Sequence, residues 1–127
     1  MDAELKQRWV EALRSGEYQQ GEENLHKQLP NGKDLYCCLG VLCDIEGVPA
    51  EEDGRYGDGS LAFTYEGAEF MLPISLKKRW GLEREIPNPS VSLNNKAREV
   101  EIAHHLAFMN DNGKSFDEIA EWIEANL

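Results

Sequence analysis

Residues 38–45, Cys38-Leu39-Gly40-Val41-Leu42-Cys43-Asp44-Ile45, decide how the rest of the chain is read. The stretch is nearly all apolar and eight residues long, so it fits a buried strand or a short buried helix, and periodicity cannot separate the two. Gly47 with Pro49 behind it supplies a helix stop, which favours a helix ending near Glu46-Gly47. Small residues at Cys38, Gly40 and Cys43 would let that helix approach a neighbour closely.

Upstream, Pro30-Asn31-Gly32 is a turn signal, and residues 24–28 and 34–37 are predicted as the arms of a hairpin around it. Before the hairpin, residues 2–14 read as a helix. Leu5, Trp9, Ala12 and Leu13 form one stripe, Asp2 caps the start, and Gly16 lies just beyond the last turn.

Downstream, residues 49–60 are polar and rich in glycine and are predicted as a loop. Residues 61–65 read as a strand, with residues 70–72 as its partner across Glu66-Gly67, and Pro73 ends the pair. A short helix over residues 75–80 is closed by Gly81. Residues 83–95, with Pro87 and Pro89, read as an extended connection. Residues 97–109 are predicted helical, with Ile102, Leu106 and Met109 on one face, and Asn110-Asp111-Asn112-Gly113 breaks that helix. Ser115 and Glu118 have the spacing of a capping box ahead of a last amphipathic helix carrying Phe116, Ile119, Trp122, Ile123 and Leu127. The expected fold is a single α+β domain over residues 1–127: an N-terminal helix, one or two small antiparallel β-hairpins, a short buried central helix and a C-terminal antiparallel helix pair.

Composition narrows the function. The chain has 24 acidic residues against 13 Lys and Arg, a formal charge of −11. That field repels phosphate backbones and anionic lipid surfaces, which argues against nucleic-acid and membrane partners. It suits solubility, a basic protein partner or mimicry of nucleic acid. No apolar run reaches the length of a membrane span, and the charged start MDAELKQRWVEAL lacks a signal-peptide segment, so a cytoplasmic location is expected. The three cysteines, Cys37, Cys38 and Cys43, are odd in number and adjacent, a poor disulfide framework, and reduced thiols are expected.

Several constellations could carry chemistry. Cys37 or Cys38 would stand where a strand meets a helix N-terminus, a position that lowers a thiol pKa. His104 or His105 could then serve as base, oriented by Asp44 or Asn94. The competing reading is core packing, since free cysteine is among the most buried residue types. Cys38 and Cys43 also have formal zinc spacing, with His26, His104 and His105 as further nitrogens, but no second cysteine pair follows, and no metal or other cofactor is expected. The oxygen-rich stretch 51–59 lacks the spacing of a calcium loop, and Gly113-Lys114-Ser115 lacks the glycine of a phosphate loop. Lys77-Lys78-Arg79-Trp80 is the dense basic patch of an acidic chain. Beside an aromatic ring it could hold a small anionic ligand, whereas the plainer reading is a charged helix face.

Three blocks carry a resemblance: WVEALRSGEYQQG near the start, LYCCLGVLCDIEG in the middle and LAFMNDNGKSFDEIAEWIEANL at the end. Together they resemble a group of small uncharacterised proteins encoded by phages and bacteria. Residues 49–96 lie outside those blocks. The resemblance implies no catalytic residue. It implies an accessory factor that binds and inhibits or sequesters a host component, acting in the host cytoplasm. The expected function is therefore a non-enzymatic binding protein whose partner is a host protein or a small anionic ligand held at Lys77, Lys78, Arg79 and Trp80. The alternative is a cysteine-dependent hydrolase or transferase using Cys37 or Cys38 with His104 or His105.

Overall fold

The computed structural model describes residues 1–86 and 101–127. The predicted extended connection from residue 87 onward, Asn94, and the first turn of the helix predicted over residues 97–109 lie outside the described residues.

Helix α1 (Ala3–Arg14) starts where Asp2 accepts a hydrogen bond from the Leu5 amide at 2.9 Å, and it buries Leu5, Trp9, Val10 and Leu13. Val10 thus joins the stripe, and Ala12 sits at its margin. Strands β1 (Gln19–Gln20), β2 (His26–Gln28) and β3 (Asp34–Tyr36) follow. β2 and β3 form the predicted antiparallel hairpin, with His26 opposite Tyr36 and Gln28 opposite Asp34. β1 is an unpredicted addition that runs parallel to β3.

The apolar stretch is helix α2 (Cys38–Ile45), buried from Cys38 through Cys43. Gly47 takes φ +71°, and the Val48 amide returns to the Cys43 carbonyl at 3.0 Å, so the helix stop works as its sequence implies. The helix lies directly against the β2 entry: a Cβ on Gly40 would stand 1.7 Å from the Leu25 carbonyl oxygen. The Trp9 indole N–H donates to the Cys38 carbonyl at 2.9 Å and ties α1 to the same place.

Two expectations are corrected downstream. Residues 49–60 are not a loop, since they contain strand β4 (Ala50–Arg55), paired antiparallel with β5 (Leu61–Tyr65) through a bulge between Glu52 and Gly54. Its sequence, AEEDGR, has no apolar alternation because all six residues are exposed, so backbone pairing alone makes it a strand. Residues 70–72 do not pair with β5. Glu66 and Gly67 form a two-residue turn at φ +51° and +84°, as hairpins favour, but only Ala68 pairs with Tyr65 across it. The next carbonyl, that of Glu69, instead accepts from the Leu25 amide at 2.9 Å, which draws the chain away from β5.

The sheet order is β1-β3-β2-β5-β4. Helix α3 (Ile74–Trp80) ends at Gly81 with φ +73°. Helix α4 (Ile102–Asp111) begins later than predicted, because Glu101 is extended and bridged to Glu85, and it runs through Asn110 to Asp111. It packs on α2, and helix α5 (Phe116–Asn126) lies chiefly along α1. The fold is α+β, and one continuous apolar core joins α1, α2, α4 and α5 to β5 through Tyr65. Among the described residues, no helix is long and apolar enough to cross a membrane.

The capping box at α5 forms as its spacing predicts: Ser115 Oγ accepts from the Glu118 amide at 3.1 Å, and the Glu118 carboxylate accepts from the Ser115 amide. Ser115→Ala should lower stability by about 1 kcal/mol, read as a fall in the urea midpoint with an unchanged slope. An unchanged midpoint would mean that packing against α1, and not the cap, holds this end of α5.

Candidate functional site

A dense cluster of chemistry-bearing groups lies on one face of the sheet. The register Lys27↔Ala62 places His26 of β2 beside Phe63 of β5, while Tyr36 of β3 is its direct partner on the other side. The imidazole is stacked between the two rings, with centroids 4.2 Å away at 15° to Tyr36 and 4.2 Å away at 8° to Phe63. Tyr18 extends this cross-strand ladder, edge-on to Tyr36 at 5.1 Å.

Hydrogen bonds fix the imidazole in its plane. His26 Nε2 lies 2.8 Å from Asp34 Oδ1, and Nδ1 lies 3.2 Å from the Tyr65 hydroxyl. A carboxylate offers only acceptors, so Nε2–H donates to Asp34, and Nδ1 shares a hydrogen bond with the Tyr65 hydroxyl. Tyr18 donates to Asp44 in the same region. Burial pushes the Tyr36 phenol up to about 12, and burial pushes the Tyr18 and Tyr65 phenols up as well. These hydroxyls are therefore donors at neutral pH and not bases. Both nitrogens and both faces of His26 are occupied, and the residue is only 6% exposed. The cluster locks three strands in register and offers no open nucleophile or base.

The cysteines stand where the sequence puts them, and they are core residues as the packing reading expects. Cys37 is the residue before α2, with extended backbone, and Cys38 is the first helical residue. Both are buried, as is Cys43. Amides of Gly40 and Leu39 pull the Cys37 thiol down, but burial outweighs them and sets it at about 11. Burial likewise pushes Cys38 and Cys43 up. Cys38 Sγ faces the Leu106 carbonyl at 3.6 Å. The helix N-terminus is already capped, because the Cys38 amide donates to Asn110 Oδ1 at 3.2 Å.

The histidines of α4 go elsewhere. His104 Nδ1 donates to Glu101 at 2.6 Å, and His105 tilts against Trp122 at 4.8 Å, where burial lowers its imidazole pKa. Asp44 is engaged by Tyr18. Among the described residues, no hydrogen bond joins a cysteine to a histidine, and no group of three His, Cys, Asp or Glu stands close enough to hold a metal ion.

The basic patch is divided by α3. Lys77 is buried and pairs with Glu101 at 2.9 Å, on the oxygen that also accepts from His104. Trp80 is 4% exposed and belongs to the core. Lys78 and Arg79 remain exposed, with Arg79 3.8 Å from Glu66, which also accepts the Ser75 hydroxyl at 2.7 Å. The structure thus brings Lys77 and His104 together on one carboxylate, and among the described residues no cysteine is hydrogen-bonded to either histidine of α4.

Sequence reasoning missed Asp34, Tyr36, Phe63 and Tyr65 as partners of His26. Their signal was the alternation His26/Gln28, Asp34/Tyr36 and Phe63/Tyr65, which puts each pair on one sheet face once the register is known. It also missed the buried amide Asn110, which the sequence presents only as part of a polar break.

Fold and site together define a small α+β domain with a histidine-centred aromatic ladder and inward-facing thiols. The chain belongs to the family described as Domain of unknown function (DUF8296), whose model matches residues 1–127. No curated protein and no solved structure matches it.

Proposed function

We propose that this protein is a non-enzymatic binding domain that engages another protein through its surface. The observation that carries the reading is that its reactive groups are either buried or already engaged with one another: His26 with Asp34 and Tyr65, Asp44 with Tyr18, His104 with Glu101, and the thiols in the core. The surface carries the excess of acid, a net charge of −11 that draws a basic partner and repels phosphate backbones and anionic lipids. The finer form of the reading, an accessory factor of phage origin that binds and inhibits a host protein in the host cytoplasm, rests on the resemblance of the terminal and central blocks. A small anion at the basic patch would meet Lys78 and Arg79 directly, with Lys77 and Trp80 behind them.

Thiol labelling tests the reading. With iodoacetamide at neutral pH, Cys37, Cys38 and Cys43 should all react far more slowly in the folded protein than in urea. One cysteine that labels in the native protein as fast as a free thiol would overturn the reading and favour the cysteine hydrolase or transferase. Gel filtration with host lysate should in addition give a stoichiometric protein complex that weakens as salt rises.

A further inference from the structure

The geometry points to the outer edge of β4 as a docking strand, and we propose that it takes a basic, extended segment of the partner protein; this rests on the binding reading above. β4 ends the sheet order, and every residue from Ala50 to Arg55 is exposed. The opposite edge is built differently. β1 is two residues long, and the Gln20 side chain is committed to Asn110, the Lys114 carbonyl and the Phe116 amide.

The direction of the β4 backbone groups follows from Tyr65. That residue exchanges both its N–H and its C=O with Ala68, at 2.9 and 3.0 Å. It therefore has no backbone group left for Ala50, its partner on the other side. Antiparallel pairs alternate, so Glu51 exchanges bonds with Thr64, and the N–H and C=O groups of Ala50 and Glu52 project outward. An extended peptide laid along this edge would find donors and acceptors at strand spacing.

Side chains select the peptide. Glu51, Glu52 and Asp53 succeed one another on the edge, and none of them is in an ion pair among the described residues. The cation of the strand, Arg55, turns back to the Gly59 carbonyl at 3.0 Å. A second copy of β4 would bring like charges together, and the bulge before Gly54, at φ +114°, bends the edge beyond Glu52. Charge and bulge are the usual guards of a free edge against self-pairing. A cationic strand escapes the charge penalty and gains from it, so the guards that exclude a second copy leave a basic segment as the fitting occupant.

The test uses the full chain, labelled with ¹⁵N, and a blocked heptapeptide of alternating lysine and valine. Amide shifts should concentrate on residues 50–54, the Ala50 and Glu52 amides should exchange more slowly when the peptide is bound, and binding should weaken with salt. Glu52→Pro removes an outward N–H without touching a bond to β5, and should weaken binding about ten-fold or more. The paired change Glu51→Lys, Glu52→Lys keeps the backbone and should do the same, whereas Asp117→Lys on α5 should leave binding near that of the parent.

Absence of binding at ~1 mM peptide, shifts spread over other acidic surfaces, or full binding by both β4 variants would overturn the docking strand. Dimerisation through β4 in sedimentation would also overturn it, by making a second copy the occupant. None of those results would touch the binding reading itself, which falls on a fast-labelling cysteine instead.

Discussion

Replacing Gly40 with alanine should come close to unfolding this protein. In most exposed helices that change is favourable, because alanine is the better helix former by about 1 kcal/mol. Here the new methyl would stand 1.7 Å from the Leu25 carbonyl oxygen and 2.6 Å from the Leu25 carbonyl carbon. Both are backbone atoms just before β2, and neither can swing aside as a side-chain tip would. Relief requires α2 to move away from β2, which would disturb the Trp9 indole bond to the Cys38 carbonyl and the fully buried Leu39, Val41 and Leu42. Overpacking of this kind costs about 3 kcal/mol or more, a large share of the roughly 5–15 kcal/mol that holds a domain together. Gly40→Ala should therefore show a strongly reduced urea midpoint or accumulate as insoluble protein. The same change at Gly57, where an added Cβ meets nothing within 4 Å, should fold normally. A Gly40→Ala protein with the parent midpoint would show that α2 does not lie this close to β2.

Asn110→Leu should be the second severe change. The side chain is 1% exposed and uses both ends of its amide. Oδ1 accepts from the Cys38 amide at 3.2 Å and from Gln20 Nε2 at 2.9 Å, while Nδ2 donates to the Gly21 carbonyl at 2.8 Å. Leucine has nearly the same volume and would strand a buried amide at the start of α2 and a carbonyl after β1. Each stranded group costs about 1–3 kcal/mol, so a loss of about 3 kcal/mol is expected. Near-ultraviolet circular dichroism and a urea titration read the effect. Glu121→Leu, exposed on α5, should stay within about 0.5 kcal/mol of the parent. If the two substitutions behave alike, Asn110 is not the joint that the structure makes it.

These two residues show how far the sequence could be read. Helices α1, α2, α3 and α5 were legible because each carries a local signal: the Asp2 cap, the Gly47 and Gly81 stops, the Ser115 box and apolar spacing on α1 and α5. α4 was legible by its apolar face alone, and with no cap to mark it the start reads too early in the sequence. The β2–β3 hairpin was legible from Pro30-Asn31-Gly32. The need for small residues on α2 was legible too, although not that the Leu25 backbone is what Gly40 meets. β4 was hidden because a fully exposed strand has no apolar face to alternate. β1 was hidden because two residues are too few for a pattern. The His26 cluster was hidden for another reason: its parts lie on three strands, and only the pairing register brings residues 26, 34, 36, 63 and 65 together. The cysteines were legible as core residues; at Cys37 desolvation is larger than the helix-start effect that would favour a thiolate.

Helix α1 lies along α5, fastened by Arg14 to Glu124 at 2.8 Å and by Lys6 to the Glu124 carbonyl at 3.1 Å. A ribosome delivers α1 early and α5 about a hundred residues later, at roughly 5–20 residues per second. During those seconds the apolar stripe of Leu5, Trp9, Val10 and Leu13 has no α5 to cover it, and the start of α2 has no Asn110 to close it. Contacts of such long sequence separation raise the entropy of closure and slow the final step. Folding of this domain therefore waits on its last helix, and the nascent chain that lacks α5 is the species most exposed to chaperones and to aggregation.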